Sequence, residues 1–246
     1  MAVIAKKKPN KIDYPTSDGK PMAETDFHRV LIVDLIDRLN YWYADDPKTY
    51  VSGDLLVFYE KGNRRKHVAP DVFVVPGAAK KLRKNYLIWK ERKRLKWITE
   101  VTSESTRNED TAGKFILYRD ILKVDEYFMF DPFGDYLHPQ LKGYRLVQGD
   151  YVPIVPVNGR LPSQIIGLHL EASGRHLLLY DPVTRKYLPT TQERADREAQ
   201  RAEQETQRAE QETQRAEQEK ERADSAEREV ERLRHEIEKH RRRNGA

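Results

Sequence analysis

The chain has no cysteine among its 246 residues, which excludes disulfides, thiolate nucleophiles and cysteine-based zinc sites. It also lacks any apolar run of membrane-spanning length. Its first residues, Met1-Ala2-Val3-Ile4-Ala5-Lys6-Lys7-Lys8-Pro9, lack the apolar core of a signal peptide. A cytoplasmic location with no membrane partner is the expectation. Histidine is present, but His28, His67, His138, His169 and His176 show no ligand spacing, so a zinc site is not expected. Hydrophobicity is scarce as well: mean hydropathy is −0.86 and 35% of the residues are charged.

That polarity is concentrated at one end. Residues 191–246 hold 14 basic and 16 acidic side chains, a net of −2, which leaves +7 on residues 1–190 out of a total of +5. A basic globular part suits a polyanionic partner such as nucleic acid. Arg-Ala-Glu-Gln-Glu-Thr-Gln at 201–207 recurs at 208–214. Ala195, Ala202, Ala209, Ala216, Ala223, Val230 and Ile237 stand seven apart on strong helix formers. Residues 190–246 are therefore expected to form a long coiled-coil helix that makes a homo-oligomer, in the simplest case a dimer. Its seam is mostly alanine and threonine, so association should be weak except at Val230, Leu233 and Ile237.

Residues 1–21 are polar and basic, with Pro9, Pro15 and Pro21, and read as a flexible arm. Residues 22–189 read as one domain. In its first helix, Thr25 and Asp26 suit the first turn, Phe27, Val30, Leu31, Leu35, Leu39 and Trp42 recur at helical spacing, and Pro47 marks the end. Residues 54–60 read as a strand, Gly62-Asn63 as a turn and residues 67–75 as the returning strand. A basic stretch at 80–96 precedes a strand that begins at Trp97. A helix over about 109–122 puts Lys114, Leu117, Tyr118 and Ile121 on one inward stripe. Residues 124–131 read as a strand. Turns at Gly134, Gly143, Gly149, Gly159 and Gly174 then divide 133–188 into short strands. This succession predicts an α/β fold with a mixed central β-sheet flanked by helices, followed by the long C-terminal helix.

Two carboxylates interrupt apolar strands. Asp71 sits in Val68-Ala69-Pro70-Asp71-Val72-Phe73-Val74-Val75 and Glu100 in Trp97-Ile98-Thr99-Glu100-Val101-Thr102. A charge in such a place is costly unless it is paired or bound to a cation. Two carboxylates on neighbouring strands, with a lysine soon after, can hold Mg²⁺ against a phosphate. Lys114 would then polarise the attacking water and stabilise developing negative charge, and a lysine against apolar surface can become a proton acceptor. Glu24, near the start of the first helix, could reach the metal through water. Each residue also has a plainer reading: Asp71 as a strand-start aspartate after proline, Glu100 in an ion pair with a nearby cation, Lys114 as an i, i+4 partner of Asp110, and Glu24 as an acid favoured by the helix dipole.

Pro70-Asp71, Glu100-Val101-Thr102-Ser103 with Ser105-Thr106, Asp110, Lys114 and Tyr118, Asp125-Glu126-Tyr127, and Asp131-Pro132 follow one another in this order. Over roughly residues 22–188 the succession resembles the bacterial putative restriction endonucleases of the PD-(D/E)XK nuclease superfamily. The resemblance implies a restriction-endonuclease-like fold and a metal-dependent endonuclease that hydrolyses DNA phosphodiester bonds. It implies Mg²⁺ as cofactor, with Mn²⁺ an equally suitable ion, held by Asp71, Glu100 and the Val101 carbonyl. The superfamily pattern places lysine two residues after the glutamate, where this chain has Thr102. The family resemblance implies that Lys114 takes that part from the following helix. The alternative is a catalytically degenerate nuclease fold that binds DNA or acts as a scaffold, oligomerised by its coiled coil.

Overall fold

Thr25 starts the first helix, α1 (Asp26–Trp42), by accepting the His28 N–H on its side chain. α1 belongs to a computed structural model that describes residues 13–17, 25–104 and 107–244. The chain divides into two units, residues 1–191 and 192–246. The buried side of α1 is Leu31, Ile32, Leu35 and Leu39. Val30, expected on that side, is 62% exposed because it lies a full step around the helix from Leu31. The helix stops at Trp42, before Pro47.

Strand β1 (Thr49–Ser52) follows, a four-residue element not anticipated from the sequence. Of the stretch expected at 54–60, only β2 (Val57–Phe58) enters a ladder. The stretch expected at 67–75 is two strands, β3 (His67–Val68) and β4 (Val72–Pro76). The break falls at Ala69-Pro70-Asp71, because proline has no N–H to give to a ladder. The Pro70 carbonyl instead accepts the Asp54 N–H at 3.0 Å. β5 (Tyr86–Leu87) lies parallel to β2, which also pairs with β3, and a single helical turn, α2 (Ile88–Glu91), leads on.

The centre of the domain is a six-stranded sheet completed by β6 (Trp97–Val101), β7 (Glu126–Phe130), β8 (Leu141–Val147) and β9 (Asp150–Pro153). Its order is β1-β4-β6-β7-β8-β9. β6 and β7 are parallel and the other neighbours antiparallel, so the sheet is mixed. A separate antiparallel sheet holds β10 (Leu161–Pro162), β11 (His169–Ser173), β12 (His176–Asp181) and β13 (Lys186–Tyr187). Gly143 is no turn. It lies within β8, where a Cβ would come 2.6 Å from the Phe128 ring.

Both faces of the central sheet are covered. Val72, Val74, Trp97, Val101, Phe128 and Phe130 pack with α1, with Leu168 just before β11, and with Leu170, Leu177 and Leu179 of the second sheet. Phe73, Val75, Ile98, Tyr127 and Met129 pack with Val57, Tyr86, Tyr118 and Leu122 on the other side. The period of two along a strand sorts these residues.

The crossover from β6 to β7 is helical, but its hydrogen bonds widen into π-turns at Glu109–Lys114 and Leu117–Ile121. Wider turns shift the inward stripe to a spacing of four: Asp110, Lys114, Tyr118 and Leu122 face the sheet, while Ile121 is 60% exposed.

In the first unit, Tyr14 packs on Phe58 and Trp89 with centroids 5.0 and 5.3 Å away, and its hydroxyl accepts the Gly62 N–H. An aromatic ring with a paired hydroxyl thus fastens a point of the segment expected to be a loose arm; residues 1–12 and 18–21 lie outside the described residues. The second unit is the helix α3 (Thr191–Asn244). Its Val230, Leu233 and Ile237 are 45–55% exposed. Thr206 and Thr213 turn their hydroxyls back to the carbonyls of Ala202 and Ala209. No helix among the described residues is long and apolar enough to cross a membrane.

Candidate active site

The pairing of β4 with β6 matches Val72 to Thr99, so the next antiparallel step puts Asp71 opposite Glu100. The Val101 N–H donates to Asp71 Oδ2 at 2.8 Å, and the Asp71 N–H reaches Glu100 Oε2 at 3.4 Å. N–H and C=O of a paired strand residue point to the same neighbour, so the Val101 carbonyl faces the Asp71 edge. Alternation along β6 turns Glu100 and Thr102 toward the crossover helix, away from Trp97, Thr99 and Val101.

Lys114 Nζ lies 2.8 Å from Glu100 Oε2 and 3.0 Å from Asp110 Oδ1. The Tyr118 hydroxyl donates to Glu100 Oε1 at 2.6 Å. The Thr102 hydroxyl donates to Asp110 Oδ2 at 2.7 Å and also meets the Tyr136 hydroxyl. Glu100, Asp110 and Tyr118 are buried, and Asp71 is partly buried.

Asp54 joins this group, although no local pattern singles it out. Gly53 brings it there: a Cβ at Gly53 would stand 1.9 Å from the Asp71 carbonyl oxygen, so only glycine allows that approach. Asp54 itself takes φ 47°, a conformation aspartate tolerates.

Glu100 and Asp110 therefore contact the Lys114 ammonium, and Asp71 and Asp54 lie within reach of its charge. Burial lifts the Asp71 carboxyl to about 6 against the attraction of Lys114, and burial with repulsion from Glu100 lifts Asp54 to about 6. Burial also drives Glu100 well above the ordinary glutamate range, with Asp71 and Asp110 adding repulsion. Burial alone would lower the Lys114 pKa. The attraction of Glu100, Asp71 and Asp110 outweighs it and holds the ammonium well above the usual lysine value. These surroundings favour the ammonium form of Lys114.

The structure brings together Asp71, Glu100, Lys114 and the Val101 backbone. Glu24 lies outside the described residues, as do Ser105 and Thr106. Among the described residues no group of three or more His, Asp or Glu is placed to hold a metal ion. Mg²⁺ does not need such a cage, since it is usually held by one or two carboxylates with water and substrate phosphate completing its shell. The hard oxygens of Asp71 and Glu100 fit that demand, and the excess of negative charge around Lys114 favours a cation there.

The basic stretch is partly structural. The Arg83 guanidinium donates to both Glu91 oxygens at 3.1 and 2.9 Å and sits 4.0 Å above the Tyr50 ring. This anchor leaves Leu82 fully exposed beside a shallow cleft lined by Lys81, Lys84 and Lys90. Tyr86 and Trp97 are buried packing residues.

A model of the Uma2 family, described as putative restriction endonuclease, matches residues 4–173. The chain is also similar to a solved structure of a putative nuclease belonging to DUF820 from Anabaena variabilis. That likeness has 15% identity and a TM-score of 0.46, and it covers 63% of this chain and 83% of the other. No curated protein matches the chain.

Proposed function

The chain belongs to the Uma2 family of putative restriction endonucleases, and from that premise we propose that it is a cytoplasmic, Mg²⁺-dependent endonuclease hydrolysing DNA phosphodiester bonds. The observation that carries this reading is the meeting of Asp71 and Glu100 across paired strands, with the Lys114 ammonium 2.8 Å from Glu100. Asp71, Glu100 and the Val101 carbonyl would hold Mg²⁺ or Mn²⁺. The bound ion would supply charge neutralisation on the phosphate and a more acidic water.

The remaining work falls to the chain itself. Lys114 orients a water or a phosphate oxygen and stabilises negative charge as it develops. Its ammonium makes it an electrostatic partner and leaves proton removal to a carboxylate outside the metal's ligands. Asp54, lifted to about 6 beside the acid pair, is the group placed for that. Tyr118 keeps the Glu100 head group in one orientation. Lys81, Lys84 and Lys90 offer contacts to the DNA backbone, which makes binding salt-dependent.

α3 is proposed to pair two copies through its heptad seam, so that two sites serve the two strands of a duplex. Solution mass of the full chain and of a variant ending at residue 190 tests this. A dimer that becomes a monomer supports it, and an unchanged mass removes it.

Plasmid nicking with Mg²⁺ tests the activity. Asp71→Ala and Glu100→Ala should each abolish it, and cutting that survives both would end the proposal. The rival reading, a degenerate nuclease fold that binds DNA or serves as a scaffold, draws on Thr102 at the usual lysine position. It predicts DNA retention without nicking.

A further inference from the structure

We propose that Thr102 and Asp110 are positioning residues that seat the Lys114 ammonium against Glu100. The inference rests on the phosphodiesterase reading for its purpose but not for its geometry. Position 102 is two residues beyond Glu100 and so shares its face of β6. A lysine there would reach the acid pair directly. Thr102 is too short to do so and instead grips the element that carries the lysine.

The direction of that grip follows from the hydrogens available. A threonine hydroxyl has one proton, and it goes to Asp110 Oδ2 at 2.7 Å. The Tyr136 hydroxyl in contact with Thr102 must then be the donor of that pair. Asp110 is held a second time, because its main-chain carbonyl accepts the Tyr127 hydroxyl at 3.1 Å. Its other carboxylate oxygen, Oδ1, stands 3.0 Å from Lys114 Nζ. The result is one line of contacts from Tyr136 through Thr102 and Asp110 to Lys114 and Glu100.

A lysine has four rotatable side-chain bonds and loses considerable rotamer freedom when fixed. Glu100 alone would hold the ammonium at one point. Asp110 supplies a second, four residues back on the same π-helical stripe, through an ion pair that lacks hydrogen-bond geometry, and Thr102 and Tyr127 hold its side chain and main chain in place. The π-turns matter here, because the spacing of four lets Asp110, Lys114 and Tyr118 all face β6.

Two measurements on the full-length protein test this. The first needs neither metal nor cleavage: the rate at which a limiting amount of acetic anhydride acetylates Lys114, read by mass spectrometry. Thr102→Val and Asp110→Asn should each raise that rate about tenfold, the equivalent of one hydrogen bond to a charged group, while Thr102→Ser, which keeps the hydroxyl, should leave it near wild type. The second is plasmid cleavage with Mg²⁺. Thr102→Val should lower kcat about tenfold with KM unchanged, and Thr102→Ser should restore it. The relocation variant Thr102→Lys/Lys114→Met should regain cleavage that Lys114→Met alone lacks. Unchanged acetylation in both Thr102→Val and Asp110→Asn would overturn the proposal, as would a Thr102→Ser variant as impaired as Thr102→Val. If the wild-type chain cuts no DNA, the acetylation arm still decides the positioning claim, so the two failures are distinct.

Discussion

Glu100 and Glu126 stand on neighbouring parallel strands and both are buried, yet their surroundings differ in kind. Glu126 has a cation of its own: Arg145 donates to Oε1 through Nε and Nη2 at 3.0 and 2.8 Å. The Gln164 N–H adds a bond to Oε1 at 2.9 Å, and the Ile165 N–H and the Ser163 hydroxyl bond Oε2. That carboxylate is saturated, and it ties β7 to β8 and to the turn after β10. Glu100 instead shares one ammonium with Asp71 and Asp110, while Asp54 presses on it from the end of β1. Burial of a carboxylate therefore does not mark a functional site. An unbalanced cluster of carboxylates is what separates the two places.

Cleavage should separate them most widely. Asp71→Ala or Glu100→Ala is expected to lower Mg²⁺-dependent plasmid nicking more than about 100-fold, since loss of even an outer partner of a metal site costs 10- to 100-fold. Glu126→Gln, if the comparison is right, nicks at the wild-type rate wherever it is folded. Equal losses in Glu100→Ala and Glu126→Gln would erase the distinction.

Stability should move the opposite way. Glu126→Gln weakens charge-assisted bonds to Arg145 and to three further donors, and should cost about 2 kcal/mol in urea unfolding. Glu100→Gln removes one of four crowded carboxylates, and at pH 7 it should be neutral or stabilise the metal-free chain by about 1 kcal/mol. A Glu100→Gln chain destabilised as much as Glu126→Gln would mean that Glu100 is held for the fold alone.

Much of this arrangement was legible in the sequence, and the limits have physical causes. Glu100 is visible because a charge inside an apolar strand needs an explanation, and Asp71 because it interrupts an apolar run, although the structure puts it in the break before β4. The mixed sheet and α1 followed from hydrophobic period and capping. Tyr118 read as core, and it is core, with its hydroxyl turned to Glu100. Asp54 was hidden because its role depends on Gly53 letting two backbones approach, a tertiary fact with no local signature beyond the Gly-Asp pair. Ile121 was misplaced because π-turns change the period, and a pattern read at 3.6 residues per turn cannot register that. β1 was missed because four residues between Pro47 and Gly53 are too few to show alternation. The split at Pro70 does have a local signal, since proline rarely sits inside a paired strand.

Magnesium should sharpen the contrast through stability. An ion that binds only the folded chain, at about ten times its dissociation constant, adds about 1.4 kcal/mol. The melting temperature should rise by a few degrees in the wild type and in Glu126→Gln, and should stay flat in Asp71→Ala. A rise retained in Asp71→Ala would place the ion elsewhere.

The smallest effect concerns pH. Asp54 and Asp71 hold their protons more tightly when folded, near pH 6, than an ordinary aspartate at 3.8. Their contribution to stability is full below about pH 4, is lost as pH rises through about 6, and stays lost above. Asp54→Asn should remove its share of that decline. Because Asp54 is partly exposed, solvent screening reduces the gain at pH 7 relative to pH 4 to about 1 kcal/mol. Wild-type and Asp54→Asn unfolding curves that stay parallel between pH 4 and 7 would contradict the crowding inferred here.

Asp71 and Glu100 are proposed to converge on one divalent cation within reach of Lys114. Anomalous scattering from a Mn²⁺-soaked crystal addresses it most directly. The expected result is a single strong peak between the two carboxylates beside the Val101 carbonyl, absent in Asp71→Ala crystals. A map with no peak there, or with manganese bound only at other carboxylates, would contradict it.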